Sequence, residues 1–477
     1  MNMIRYYERS QGIQITTSPY LGEIDFSRLR GRKCGVDALD LISVADVLRN
    51  AFVYPPHSIY RDVKLAAFGF DPTLDLFDLA DYRFEHAHGW FRKSGAVVDE
   101  AGYVDTYHRL LCEAITHSCE NMAQPWLLQS GGKDSTSLVI AAAESRPETQ
   151  CITYFGGGEE DEVASARAIA GKFGLRHESL ACVPGRAYDR YLALVGQMPL
   201  LTADFALLSY VDLGTEIAAA GGDGIMDGVG SDGYFGAPAT TRHYLLSLLA
   251  RDIKLPGALF RTPPVDGNFK LSFVLSTLQM NPFERLFPGS RFSGTEVDEL
   301  LGRPVAAQSA RRLKAFCRAI SSAPTLHERR AMSIAIAEAG AAFAKGLYTA
   351  SALNLRIAYP YCDAPLSDWV YRDVPAPLRM DLKTGANKIL VRKHIARHFD
   401  TLPYVASKGS FRFDLVGLAR ERYEQVHDFA QRTREVMPGA TAWLETHRKQ
   451  LDNKYHASKF YLLAITLPWL HSRLEQA

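Results

Sequence analysis

The chain has 477 residues, 47% of them apolar and 22% charged, the mixture of a globular enzyme with room for two or three domains. Its 54 basic and 53 acidic residues leave a formal charge of +1, which counts against a protein built to hold long nucleic acid. The 7 cysteines are scattered, with no C-x-x-C pair and no neighbouring histidine at zinc spacing, and fit reduced thiols. There is no signal-type apolar run and no stretch of ~18 apolar residues, so the expected setting is cytoplasmic, with no membrane.

Residues 1–100 are rich in aromatic and turn residues and predict a small α+β domain, separate from the remainder at 101–477. Positions 103–122 are helical by pattern, with Tyr107, Leu110, Leu111, Ala114 and Ile115 on one face. An α/β texture follows. Trp126-Leu127-Leu128 reads as a strand, the helix Ser137–Ala143 comes after a glycine turn, and the strand Cys151–Phe155 leads to a helix over 161–173. Two successive βα units imply right-handed crossovers and a parallel sheet. A third strand, Gly224-Ile225-Met226, runs into another glycine-rich turn opened by Asp227 and Gly228. The stretches 240–350 and 385 to the end are mostly helical by pattern.

Between the first strand and its helix lies Ser130-Gly131-Gly132-Lys133-Asp134-Ser135. Two glycines let the backbone approach a phosphate, and the N–H groups of loop and helix face the anion with the helix dipole behind them. The hydroxyls of Ser130, Ser135 and Thr136 add donors. Asp134 would repel an anion unless a cation lay between them, so its presence predicts Mg²⁺. This is not the Walker loop, which needs G-x-x-x-x-G-K-[ST]. Leu128 and Tyr154 or Phe155, at strand ends beside the loop, are placed to line an adenine pocket, and Asp227 and Gly228 are counted with the nucleotide-binding residues.

The S-G-G-x-D-S segment resembles the PP-loop of the ATP pyrophosphatases, and four further stretches narrow the resemblance to the synthetase domain of asparagine synthetase and its relatives, the β-lactam synthetases and lasso-peptide macrolactam cyclases. These are Ile152–Phe155 with Lys172–His177, then Met198–Asp204, then Gly228–Gly236 (similar to G-E-G-S-D-E-L-F-G), and lastly Tyr359–Asp363 with Lys388, Arg392 and Lys408–Phe411. The resemblance covers about residues 105–415. It implies a PP-loop (adenine nucleotide α-hydrolase-like) α/β fold, a parallel sheet flanked by helices, with a reduced N-terminal α+β domain and a helical C-terminal part. It implies Mg²⁺ shared by Asp134 and Asp232, and a catalytic ammonium at Lys408. Arg392 and Lys388 are secondary candidates in a stretch with 7 basic residues and one acid, Asp400, between Lys383 and Arg412. Lys133 stands where synthetases usually carry an apolar residue, a cation beside a phosphate or the substrate carboxylate.

Two departures shape the expected activity. The chain begins Met1-Asn2, where asparagine synthetases carry a nucleophilic cysteine, so the glutaminase reads as reduced and the nitrogen is expected from an amine, free ammonia or a partner glutaminase. Val229 replaces the Glu or Tyr of the G-E-G-S-D loop, and at the expected place of a later acid stand Asn354 and Arg356, so no general base is named. The expected function is an AMP- and pyrophosphate-forming amide or lactam synthetase of specialised metabolite or peptide biosynthesis, acting on a small-molecule or peptide carboxylate, as a homodimer or with a partner protein supplying substrate. Ammonia-dependent amidation, a tRNA- or nucleotide-modifying PP-loop enzyme and a non-catalytic ATP-binding homologue are the alternatives.

Overall fold

The computed structural model describes residues 5–8, 13–14, 24–66, 70–72, 82–84, 99–156, 160–236, 255–280, 284, 292–381, 383–401, 403 and 413–474. Its centre is a five-stranded parallel sheet of β1 (Pro125–Leu128), β2 (Gln150–Phe155), β3 (Arg176–Ala181), β4 (Gly224–Met226) and β5 (Arg356–Ala358), in the order β5-β4-β1-β2-β3. The middle strands are apolar runs because helices cover both faces of such a sheet: all four residues of β1 are buried. At one edge β3 (RHESLA) is polar and only half covered. The expected helix over 161–173 is Glu160–Lys172 (α3), and the one over 103–122 is Glu100–Ser118 (α1). Strands β3 and β5, too polar or too short to stand out by pattern, complete the sheet.

Helix Lys133–Ser145 (α2) follows β1, packs on α1, and receives Ile389–Ala396 (α6) against both. A long helical segment approaches the same region from the other side. It consists of Leu326–Ala337 (α4), one π-helical turn at Glu338–Ala342, and Phe343–Leu353 (α5). The π turn lies against the N-terminal part of the chain. A Cβ at Gly340 would come within 2.8 Å of the Phe52 ring and 2.9 Å of the Val53 carbonyl oxygen, so only glycine permits the approach.

The N-terminal residues share the main core. Strands Arg5–Glu8, Ile13–Gln14 and Val63–Ala66 form a small antiparallel sheet, and the Tyr6 hydroxyl meets that of Tyr348 on α5 at 2.8 Å, both buried. Helix Leu41–Asn50 is tied to helix Ala306–Ser322 by Arg312, which reaches Asp40 at 2.5 Å and Asp46 at 2.9 Å. One cluster of buried apolar side chains runs from Tyr6 to Leu470. Among the described residues, no helix is long and apolar enough to cross a membrane.

Candidate active site

The strand order reverses at β1, with β2 on one side and β4 on the other, and the loops leaving β1 and β4 border the crevice this creates at the carboxyl edge. In the first loop the Ser135 hydroxyl donates to the Ser130 carbonyl at 2.7 Å and accepts from the Ser130 N–H at 3.1 Å, which closes the turn on itself. Among the described residues, no side chain caps α2 at Gly132, and the positive end of the helix dipole lies at this loop. The Gly131 N–H donates to the Glu162 carboxylate at 3.0 Å, which shows that the loop accommodates an anionic oxygen. Tyr361 holds the loop from behind, its hydroxyl donating to the Asp134 carbonyl at 3.0 Å.

In the second loop Gly230 has φ +101°, and a Cβ there would lie 2.4 Å from the Cys362 sulfur. Only glycine makes this turn, and the turn delivers Ser231 and Asp232 to the crevice. Asp227 accepts from the Tyr210 hydroxyl at 3.1 Å and from the Val229 N–H at 3.2 Å, holding the loop's start.

Lys388 joins the two loops. All three protons of its ammonium are engaged: Asp134 Oδ2, Asp232 Oδ1 and Ser231 Oγ each lie 2.8 Å from Nζ. Its side chain is only 2% exposed. Burial works against the ammonium, but the Asp134 and Asp232 carboxylates outweigh it and hold Lys388 charged, its pKa above the ordinary lysine value. Lys133 is half-buried nearby. Burial lowers its pKa, with Lys388 and Arg392 adding to the effect and Asp134 and Asp232 opposing it.

A cavity of about 250 Å³ opens on this cluster. Of the residues expected from sequence, Leu128, Ser130, Asp134, Ser135, Tyr154, Asp227, Gly228 and Asp232 line it. Gly131 and Gly132 are buried in the loop, and the buried Thr136 spends its hydroxyl on the Gly132 carbonyl at 2.9 Å inside α2. Phe155 is half-buried at the end of β2 and does not line the cavity. Arg392 donates its Nε–H to the Asn387 carbonyl at 2.9 Å, close enough to Lys133 to influence it. Lys408, with Gly409, Ser410 and Phe411, lies outside the described residues.

Residues 107–434, more than half of the chain, match the family model described as asparagine synthase. The chain belongs to the asparagine synthase family. At the level of this family it is an ATP-dependent, amide-forming synthetase with an α/β parallel-sheet fold. No curated protein matches the chain.

Neither residue at the expected place of the later acid, Asn354 or Arg356, lines the cavity. Asn354 ends α5 and takes a hydrogen bond from Arg30, and Arg356 is exposed at the start of β5. Instead Glu338, in the π turn, lines the cavity together with Val229, Ala342 and Lys345. Glu338 is 8% exposed, and its Oε2 is buried with no hydrogen-bond partner among the described residues. Burial, and then the charge of Asp232, push its carboxyl up to about 8, against the pull of Lys388 and Lys345. Lys345 is itself buried, 3.6 Å from Asp204.

Proposed function

We propose that the crevice cleaves ATP between the α- and β-phosphates, transfers the adenylate to a carboxylate and passes the acyl group to an amine. The observation that carries this reading is the Lys388 ammonium held at 2.8 Å by Asp134 of the phosphate loop and by Asp232 of the second loop. The pair supplies two hard oxygen donors converging on one point of positive charge, a set suited to Mg²⁺. Asp134 and Asp232 would hold that ion, which when bound neutralises charge on the departing pyrophosphate.

The protein's own groups divide the remaining work. The N–H groups at the start of α2 bind and orient the phosphates, while those of Gly131 and Gly132 are held by Glu162 and Ser130 and keep the loop's shape. A carboxylate oxygen attacks the α-phosphorus, the bond to the bridging oxygen breaks and pyrophosphate leaves, while Lys388 stabilises the negative charge spread over the transition state. Lys408, by its match to the family's lysine, is assigned to the same task. The amine nitrogen then attacks the acyl carbon, the bond to AMP breaks and one proton is released. Glu338 is the buried acceptor in the cavity and is assigned to hold the incoming amine. Val229 leaves that wall apolar, which suits a substrate with an apolar body.

The test is release of pyrophosphate and AMP across a panel of small-molecule and peptide carboxylates with amines or ammonia, with Asp134→Asn as control. AMP and pyrophosphate in equal amounts, lost in the control, are expected. ADP and phosphate as products would overturn the reading.

A further inference from the structure

Between α1 and α2, a cluster brings three side chains with metal-ligating atoms together. His108 and Cys112 stand four residues apart on α1, and Glu144 faces them from α2. His108 Nε2 is 3.0 Å from the Glu144 carboxylate and 3.6 Å from the Cys112 sulfur.

The hydrogen bonds behind His108 fix what that nitrogen carries. The Asp134 carbonyl can only accept, so Tyr361 donates to it, at 3.0 Å. The Tyr361 proton is thereby used, and Tyr107 donates to Tyr361 at 3.3 Å. Ser137 must then donate to Tyr107 at 2.9 Å, and His394 Nδ1 to Ser137 at 2.9 Å. This leaves His394 Nε2 as the acceptor for His108 Nδ1, at 2.9 Å. The neutral tautomer of His108 therefore turns a bare Nε2 lone pair toward a carboxylate and a sulfur. The place between them takes either a proton, such as that of the Cys112 thiol, which otherwise donates to the Ala141 carbonyl at 3.7 Å, or a metal ion.

We infer that His108, Cys112 and Glu144 form a binding site for a borderline-soft divalent cation of the Zn²⁺ type, distinct from the oxygen-lined pair in the crevice. The ligand set of imidazole, thiolate and carboxylate is that of zinc, with a fourth position open to water. A tetrahedral ion with bonds of roughly 2.0 Å to nitrogen and 2.3 Å to sulfur sets these two atoms about 3.5 Å apart, and they stand at 3.6 Å. His394 supplies the outer hydrogen bond that a metal-bound imidazole requires at its other nitrogen. The i, i+4 spacing on α1 brings both ligands to one helix face, against the expectation that no cysteine has a histidine at zinc spacing. On binding, the Cys112 S–H bond breaks, its proton leaves to solvent and the sulfur lone pair goes to the ion, so affinity rises with pH.

The probe is Co²⁺ titrated into the metal-free full-length chain in the absence of ATP and Mg²⁺. One equivalent should develop a thiolate-to-cobalt charge-transfer band that Zn²⁺ abolishes. Cys112→Ser should remove the band, and Glu144→Gln, at an exposed position where folding is not at stake, should weaken binding at least about tenfold. Zn²⁺ should raise the melting temperature of the parent chain more than that of Glu144→Gln. A parent chain without the band, or a Cys112→Ser variant that keeps it, would overturn the assignment and leave a metal-free hydrogen-bonded cluster.

Discussion

Replacing Glu338 by glutamine keeps the shape of the side chain and removes its charge. In the folded chain burial and Asp232 move this carboxyl from an ordinary value of 4.5 to about 8. A group whose pKa is raised on folding favours the fold when protonated. Its contribution is fully present below pH 4.5 and is lost as pH rises through about 8. Between those two values the unfolded chain has released the proton and the folded chain still holds it. The parent should therefore lose stability relative to Glu338→Gln by about 1.4 kcal/mol for every pH unit climbed, with a ceiling of about 5 kcal/mol. Urea unfolding of both proteins at pH 5.5, 7 and 8.5, without nucleotide, reads the difference directly. The variant should be the more stable one at pH 8.5 and the weaker catalyst of amide formation, a combination expected of a group retained for function. A stability difference that does not change with pH would refute the argument, because it would mean that Glu338 is already ionised in the fold at neutral pH.

Lys388→Met removes the cation shared by Asp134 and Asp232. Pyrophosphate release should fall by a factor on the order of 10²–10³, and Arg in its place should not restore it, because the buried geometry is built for one small ammonium. Gly230→Ala sets a methyl group against the Cys362 sulfur at a backbone angle of +101°. It should cost on the order of 1–3 kcal/mol in unfolding measurements and reduce turnover by displacing Ser231 and Asp232. Arg312→Met leaves the buried Asp46, whose carboxyl burial pushes up to about 6 despite Arg312, without its partner. The loss should be about 3–5 kcal/mol at pH 8 and smaller at pH 5, where Asp46 takes a proton. Domain-wise unfolding of the N-terminal part alone would contradict the shared core.

The parts of the site that are legible in the sequence are those written in short, local patterns. Strand, double glycine and helix in succession announce the phosphate loop, and Gly228–Gly236 announces its neighbour, because turn chemistry acts over a few residues. Glu338 and Lys345 carry no such signal. Each is a single charged residue in a long helical stretch, Glu338 in the π turn and Lys345 just after it, and the turn packs Gly340 against Phe52 and Val53, nearly three hundred positions away. For a second acid the family pattern points near Asn354, whereas the fold brings a carboxylate to the same cavity from the preceding helix. Lys388 reads as only a secondary candidate for a similar reason: pattern gives a lysine's position and not its burial. The boundary near residue 100 follows a change in composition, while the packing of Tyr6 on Tyr348 is a long-range contact that composition does not encode.

The backbone of Lys388 gives an independent reason to place it at the centre. It has φ 58° and ψ 44°, a left-handed conformation at the start of α6 that costs a residue with a Cβ roughly 1–2 kcal/mol. Glycine or asparagine would occupy the position with less strain, and a residue with no task there would face no obstacle to being one of them. The conformation is held by the Lys388 N–H, which donates to the Arg379 carbonyl at 2.7 Å, and by the three contacts of the ammonium. Backbone strain and burial of a charge are both unfavourable, and here they fall on one side chain. What offsets them is the pair of carboxylates, which in turn would repel one another without the ammonium. Each group is thus stable only in the presence of the others, which fixes the two loops at a set separation before any substrate binds.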